Sequence, residues 1–314
     1  MAEVRINQLV KVFPNGTVAV QEVNLDVADG EFLVLLGPSG CGKTTTLRCI
    51  AGLERQTSGN IWIGDHVVND LKPGDRDIAF VFQFYALYPH LNVYSNISFP
   101  LRAMNVDRTE IDQRVREVAK VLRIEHVLGK RPRRLPSGEQ QRVALGRAII
   151  RRPQVFLMDE PLTNLDAALR TDMRVELKHL QAEIGTTMLY VTHDQTEAMS
   201  MGHRIAVMNK GVLQQVGTPL EIYQHPQTLF VAGFIGDPPM NLVPVELVEN
   251  MLHGIDNGMR LVLESDVVQQ VREKQSGKML ILGIRAENIH LTGNGNGGDV
   301  ALPVATRSLL GDQA

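Results

Sequence analysis

The stretch Gly37-Pro38-Ser39-Gly40-Cys41-Gly42-Lys43-Thr44 carries the most specific chemistry in this 314-residue chain. It fits G-x-x-x-x-G-K-[ST] without a mismatch. That pattern binds phosphate when a strand enters it and a helix leaves it. Its glycines let successive backbone N–H groups turn inward around phosphate oxygens, and the helix N-terminus adds partial positive charge. Lys43 would reach the β- and γ-phosphates of a nucleotide, and the Thr44 hydroxyl would bind Mg²⁺. Far along the chain, the apolar run Val155-Phe156-Leu157-Met158 ends in Asp159-Glu160. An Asp there can hold Mg²⁺ through water, and the next Glu can polarise a water that attacks the γ-phosphate. Two further polar residues close apolar runs. Gln83 is either a plain strand end or a group reaching the Mg²⁺ or the attacking water. His193 is either structural or a γ-phosphate sensor.

The flanks of these residues predict what positions them. Phe32-Leu33-Val34-Leu35-Leu36 is a buried strand before the loop, and Thr45 to Ala51 is a helix stopped by Gly52. Val4 to Val10 and Val18 to Val27, separated by Pro14-Asn15-Gly16, form an antiparallel opening. Phe13, just before that turn, is a core aromatic or a flat platform for a purine. Further strands fall at Ser58 to Asp65, Asp77 to Gln83, Gln154 to Asp159 and Thr187 to His193, and a hairpin spans Arg204 to Val216. Residues 84 to 151 differ: an aromatic turn at Phe84 to His90, then an amphipathic helix over Asp107 to Leu122 with Ile111, Val115, Val118, Ala119 and Leu122 on one face. Asp107, with Glu110 three residues on, is a capping signal. Another helix runs from Asp166 to about Ala182. After Gly236-Asp237-Pro238-Pro239 the pattern changes to short alternating strands around 242–248, 259–263 and 279–285, a small β-barrel piece. The chain reaches Ala314 without a long closing strand, so this barrel reads as truncated.

Composition bounds the function. A hydrophobic fraction of 44% and a charged fraction of 21% are those of a soluble globular protein. A net charge of -3 argues against a dedicated nucleic-acid binder, and Lys130-Arg131-Pro132-Arg133-Arg134 reads as a solvated loop. No stretch approaches the about 18 apolar residues of a membrane span, and no signal region opens the chain, so a cytosolic protein is expected. The only cysteines, Cys41 and Cys49, form neither a disulfide framework nor a metal-ligand pattern. They read first as small buried residues. Cys41, at a helix N-terminus that lowers thiol pKa, reads second as alkylation-sensitive.

Together these residues resemble the nucleotide-binding subunit of an ABC transporter, of the maltose-type carbohydrate-import group, over nearly the whole chain. The resemblance implies a P-loop α/β core with an antiparallel β subdomain and a helical insertion at about 84–151, together spanning 1–235. It implies a partial transport-associated OB-like regulatory domain over 236–314. Gly37 to Thr44, with Thr45, resembles the Walker A loop, and Val155 to Asp159 resembles Walker B, with Glu160 as the catalytic carboxylate. Gln83 is similar to the Q-loop, His193 to the switch histidine, and Thr163-Asn164-Leu165-Asp166 to the D-loop, which usually begins with serine. Phe13 falls at the adenine-stacking position. The metal ligands implied are Thr44, Gln83 and Asp159. The resemblance further implies ATP and Mg²⁺ as cofactors, a homodimer, two permease subunits docking near Tyr85 to His90, an extracytoplasmic solute-binding protein acting indirectly, no nucleic acid, and a peripheral place on the cytoplasmic face of the inner membrane. Its function would be ATP hydrolysis coupled to import of sugars or related polar solutes. Two other readings stand beside it: a soluble ABC-type ATPase acting on nucleic acid or ribosomes, and a hydrolysis-impaired regulatory cassette.

One motif departs from the family. The L-S-G-G-Q signature, which meets the partner subunit's γ-phosphate, lies over Leu135-Pro136-Ser137-Gly138-Glu139. Pro136 brings neither hydroxyl nor N–H, and Glu139 brings a negative charge that is unfavourable if it faces phosphate. Ser137 and Gln140 make an S-x-x-Q capping box, so the helix is expected to start here with its dipole kept. Loss of one charge-assisted hydrogen bond would weaken dimer closure on ATP by roughly 1.5–3 kcal/mol. The Pro136→Ser, Ser137→Gly, Glu139→Gln revertant should therefore hydrolyse ATP faster than the parent chain, and equal steady-state rates would contradict this.

Overall fold

Phe32–Leu36 is buried at every position, as a strand covered on both faces must be. In the computed structural model, which describes residues 2–83, 86–255, 259–274 and 279–289, this strand lies inside a six-stranded sheet. The chain divides into two compact units, residues 1–231 and 232–314. The first unit runs β1 (Val4–Val12), β2 (Val18–Val27), β3 (Phe32–Leu36), α1 (Lys43–Ala51), β4 (Ser58–Ile63), β5 (His66–Val67) and β6 (Ile78–Val81). Then come α2 (Val93–Ala103), α3 (Arg108–Val121), α4 (Ser137–Ile149), β7 (Val155–Asp159), α5 (Ala167–Ile184) and β8 (Thr187–Thr192). It closes with α6 (Gln195–Met201), β9 (Arg204–Asn209), β10 (Val212–Gly217) and α7 (Pro219–Gln224).

The six-stranded order is β10-β9-β3-β8-β7-β6. It is parallel from β9 to β6, with β10 antiparallel at its edge. A second sheet, β2-β1-β4-β5, is antiparallel. One apolar core joins Ile6, Val23 and Ile61 of the second sheet, Leu47 and Ile50 of α1, and Leu35, Leu157 and Val191 of the first. This is the α/β core with antiparallel subdomain that the motifs imply. In the parallel register Leu36 pairs with Thr192, Asp159 with Val191, and Val81 with Met158. The loop 37–42, Glu160, His193 and Gln83 therefore leave neighbouring strands at the same carboxyl edge, where open α/β sheets bind ligands.

Helices α2, α3 and α4 lie between β6 and β7 and form the helical insertion. Asp107 caps α3 as expected, its side chain accepting from the Thr109 N–H. The sequence reading misses α2. It holds Pro100, a residue that ordinarily disfavours a helix interior, yet Asn92 caps the helix and buried Asn96 hydrogen-bonds the carbonyls of Tyr88, Leu91 and Asn92. Phe84 and Tyr85 lie outside the described residues, so of the aromatic turn only Ala86 to His90 is described.

Helix α8 (Leu229–Phe234) spans the division between the units. The second unit continues with β11 (Asn241–Val248), β12 (Met251–Gly254), β13 (Arg260–Val262), α9 (Ser265–Lys274) and β14 (Met279–Ile284). Its antiparallel sheet is ordered β13-β12-β11-β14 around Val245, Leu252 and Met259. The β strands near 242–248, 259–263 and 279–285 are those expected. Strand β12 and α9 are additions. Residues 290–314, which include the glycine-rich stretch Gly293 to Gly298 and the tail to Ala314, lie outside the described residues.

Candidate functional site

The phosphate-type loop is held by close backbone approach. Gly42 has φ 107°, and a Cβ there would lie 2.3 Å from the Ala19 carbonyl oxygen of β2. A Cβ at Gly37 would lie 2.2 Å from the Met208 carbonyl oxygen of β9. Only glycine fits either place. The Gly211 N–H donates to the Cys41 carbonyl at 2.9 Å, which braces the loop against the β9–β10 turn. Ser39 and Gly40 are left exposed at the tip, and Pro38 and Thr45 are half-buried. Lys43 is buried, its ammonium donating to the carbonyls of Gly37 at 2.8 Å and Pro38 at 2.9 Å.

From the start of α1, Thr44 Oγ1 donates to Asp159 Oδ1 at 2.7 Å. Asp159 is only 8% exposed. Burial pushes its carboxyl above the ordinary 3.8, against the pull of the Thr44 hydrogen bond. Glu160 takes a left-handed backbone at φ 45°, a conformation that bulky residues hold only when their surroundings impose it. Its N–H donates to the Val191 carbonyl of β8 at 3.1 Å. Its carboxylate lies 3.4 Å from His193 Nδ1 and accepts from Thr163 Oγ1 at 3.3 Å. Thr44, Asp159, Glu160 and His193 are thus linked at one sheet edge. Gln83, half-buried, joins them through its backbone: its carbonyl accepts from Asn164 Nδ2 at 3.0 Å. Asp166 caps α5, accepting from the Leu169 N–H at 3.0 Å.

Phe13 is half-buried in the β1–β2 hairpin, with the Lys11 ammonium 4.9 Å from its ring centroid. Lys11 is held there by Glu54 at 3.0 Å and by the Arg55 carbonyl at 2.8 Å. Both cysteines are buried and free, and burial pushes the Cys49 thiol up to about 11.

The first turn of α4 departs from expectation. Pro136 holds the cap position and no side chain caps the helix, so the expected Ser137–Gln140 box does not form. Ser137 sits one residue inside the helix, where its hydroxyl is not placed to accept from the third N–H, and Gln140 Nε2 donates instead to the Leu135 carbonyl at 2.9 Å. Gly138 presses on α5: a Cβ there would meet Leu169 Cδ2 at 2.7 Å. Glu139 meets His126 Nε2 at 3.0 Å. Nothing in the sequence marks His126 for this role, because it comes from a separate short turn.

Thr44 and Asp159 offer adjacent hard oxygens, and among the described residues no group of three or more His, Cys, Asp or Glu is placed to hold a metal ion by itself. This donor set fits Mg²⁺, which takes one or two protein oxygens and fills the rest of its shell with phosphate and water.

Residues 20–163 match the family model described as ABC transporter, and residues 236–289 match that of the MalK OB fold domain. The chain is 57% identical to the trehalose/maltose import ATP-binding protein MalK of Thermococcus litoralis, over 92% of this chain and 79% of the relative. It is 48% identical to the sn-glycerol-3-phosphate import ATP-binding protein UgpC of Pectobacterium atrosepticum, over 99% of this chain and 86% of the relative. Among solved structures it is similar to a dimeric post-hydrolysis state of the ATP-binding cassette MJ0796 bound to ADP and Pi. That match has a TM-score of 0.62 and 33% identity, and covers 69% of this chain and 98% of that one.

The raised carboxyl of Asp159 has a consequence for stability. The folded chain keeps this proton longer than the unfolded chain does. The group's contribution is therefore most favourable at acid pH and falls as pH rises from 3.8 through the raised value. Asp159→Asn removes that fall. Denaturant unfolding of the chain without nucleotide should show the variant losing less stability than the parent between acid and neutral pH, and parallel curves would contradict this.

Proposed function

The chain belongs to the ABC transporter family, and on that premise we propose that it is the ATP-binding, ATP-hydrolysing subunit of an importer. The observation that carries this reading is the linkage of Thr44, Asp159, Glu160 and His193 at the carboxyl edge of a parallel sheet, beside a complete phosphate loop. Nucleotide phosphates lie in Gly37 to Thr45, wrapped by backbone N–H groups and the N-terminus of α1. Lys43 exchanges its carbonyl partners for phosphate oxygens. Phe13, with Lys11 against one face, presents the other to the purine. Thr44 and Asp159, with Gln83, would hold Mg²⁺, which supplies charge neutralisation at the β- and γ-phosphates. Glu160 polarises the attacking water, and His193 orients Glu160 and faces the γ-phosphate.

Two copies face each other, and each site is completed by Ser137, Gly138 and Glu139 of the other copy. The contact with His126 Nε2 gives the Glu139 carboxylate a partner within its own chain. Two permease subunits dock near Tyr85 to His90. In the described part of that turn, Arg147 of α4 donates to the Ala86 carbonyl at 2.8 Å and lies 5.2 Å over the Tyr88 ring. Force at the turn therefore reaches the helix that presents Ser137. A solute-binding protein delivers the cargo, and the importer names of the relatives favour sugars or related polar solutes over the nucleic-acid reading. None of the described helices is long and apolar enough to cross a membrane. The subunit sits peripherally on the cytoplasmic face of the inner membrane, held there by its permeases.

Glu160→Gln keeps the shape of the site and removes the charge that polarises water. Its ATP hydrolysis should fall about hundredfold or more while ATP binding persists. A variant that hydrolyses ATP at the parent rate would refute the assignment.

A further inference from the structure

Loop 163–166 touches the ends of two strands of the site, β6 and β7. Thr163 donates to Glu160, Asn164 donates to the Gln83 carbonyl, and Asp166 caps α5. One residue of α5 binds this loop to the segment that carries His193. The Arg170 guanidinium Nη2 donates to the carbonyls of Thr163 at 3.4 Å and Leu165 at 3.3 Å. Its Nη1 lies 3.5 Å from Asp194 Oδ2, and its Nε lies 3.9 Å from Glu197 Oε1. Asp194 follows His193 directly and caps α6, accepting from the Glu197 N–H at 3.0 Å. Glu197 is 3% exposed and accepts from Tyr190 at 2.8 Å and from Thr192 at 2.7 Å. Thr192 Oγ1 in turn accepts from the Asp194 N–H at 3.0 Å. His193 therefore sits between two residues that are both tied to the same buried anchor.

We propose that Arg170 is a positioning residue for hydrolysis: its guanidinium locks the 163–166 loop to the Asp194–Glu197 anchor and so fixes His193 against Glu160. This deepens the proposed function and rests on its assignment of Glu160 and His193. The geometry calls for arginine. A planar fork reaches two carbonyls and two carboxylates at once, which the point charge of a lysine cannot do. Nucleotide contacts lie on other residues, so Arg170 governs the chemical step and leaves ATP binding alone. It also makes the loop a connector: a shift of Thr163 or Leu165 is delivered to the His193 backbone through one side chain.

The test is a double-mutant cycle on the full chain. ATP hydrolysis is followed by steady-state and single-turnover kinetics for the parent, Arg170→Ala, His193→Ala and the double variant. Arg170→Ala should lose roughly ten- to hundredfold in kcat, the size of effect a small misplacement produces, with KM for ATP little changed. On the His193→Ala background the same substitution should cost little more, because the residue it positions is already gone. Arg170→Lys should recover part of kcat, and it replaces the alanine variant in the cycle if that variant does not fold. Parent-like kcat in Arg170→Ala, or a loss that multiplies in full with His193→Ala, overturns the inference and leaves the catalytic assignment standing. A His193→Ala chain as active as the parent overturns the catalytic assignment, and the role of Arg170 with it.

Discussion

The hydrogen bond from Thr44 to Asp159 is the constraint on which the site depends. It ties the first turn of α1, and hence the phosphate loop, to the end of β7. The parallel register carries that tie sideways, because Asp159 pairs with Val191 and Thr192 pairs with Leu36. Holding an ionisable carboxyl at 8% exposure works against the folded state, as the upward push on Asp159 shows. Burial is nonetheless what makes the carboxyl useful. In a low-dielectric site, two preorganised oxygens act on a bound charge far more strongly than they would in water.

Around this tie the molecule uses backbone closeness as much as side-chain chemistry. Gly37 and Gly42 are required by the carbonyls of Met208 and Ala19, so both sheets press on the loop. Glu160 is held in a left-handed turn by its bond to Val191, which aims its carboxylate at His193 and not along the strand. The 163–166 loop then collects Gln83, Glu160 and, through Arg170, the His193 segment into one connected body. On the other side of the insertion, α4 carries Ser137 at one end and Arg147, the anchor of the Ala86 to His90 turn, near the other. The proposed nucleotide and membrane contacts thus lie toward the two ends of one helix.

Much of this was legible in the residues. Continuous apolar runs such as Phe32–Leu36 and Val155–Asp159 have one stable home, a strand covered on both faces, and the register of neighbouring strands then brings their polar ends together. Asp107 starts a helix and Gly52 stops one by local chemistry, so they too are visible in sequence. What stayed hidden depends on tertiary contact. Helix α2 survives Pro100 because its cap and the buried Asn96 support it. Ser137 fails to cap because Pro136 takes the position before it. The pairs Glu139–His126 and Arg170–Asp194 join segments with no local pattern that announces them.

The central claim is that a nucleotide bound by one copy's phosphate loop is covered by a second copy's Ser137. Ser137 is exposed in the single chain, whereas Cys41 and Cys49 are buried. A thiol introduced by Ser137→Cys in the Glu160→Gln chain can therefore be alkylated and its modification followed by mass spectrometry. The account predicts that ATP with Mg²⁺ strongly slows alkylation at this position. An alkylation rate unchanged by bound nucleotide would contradict it.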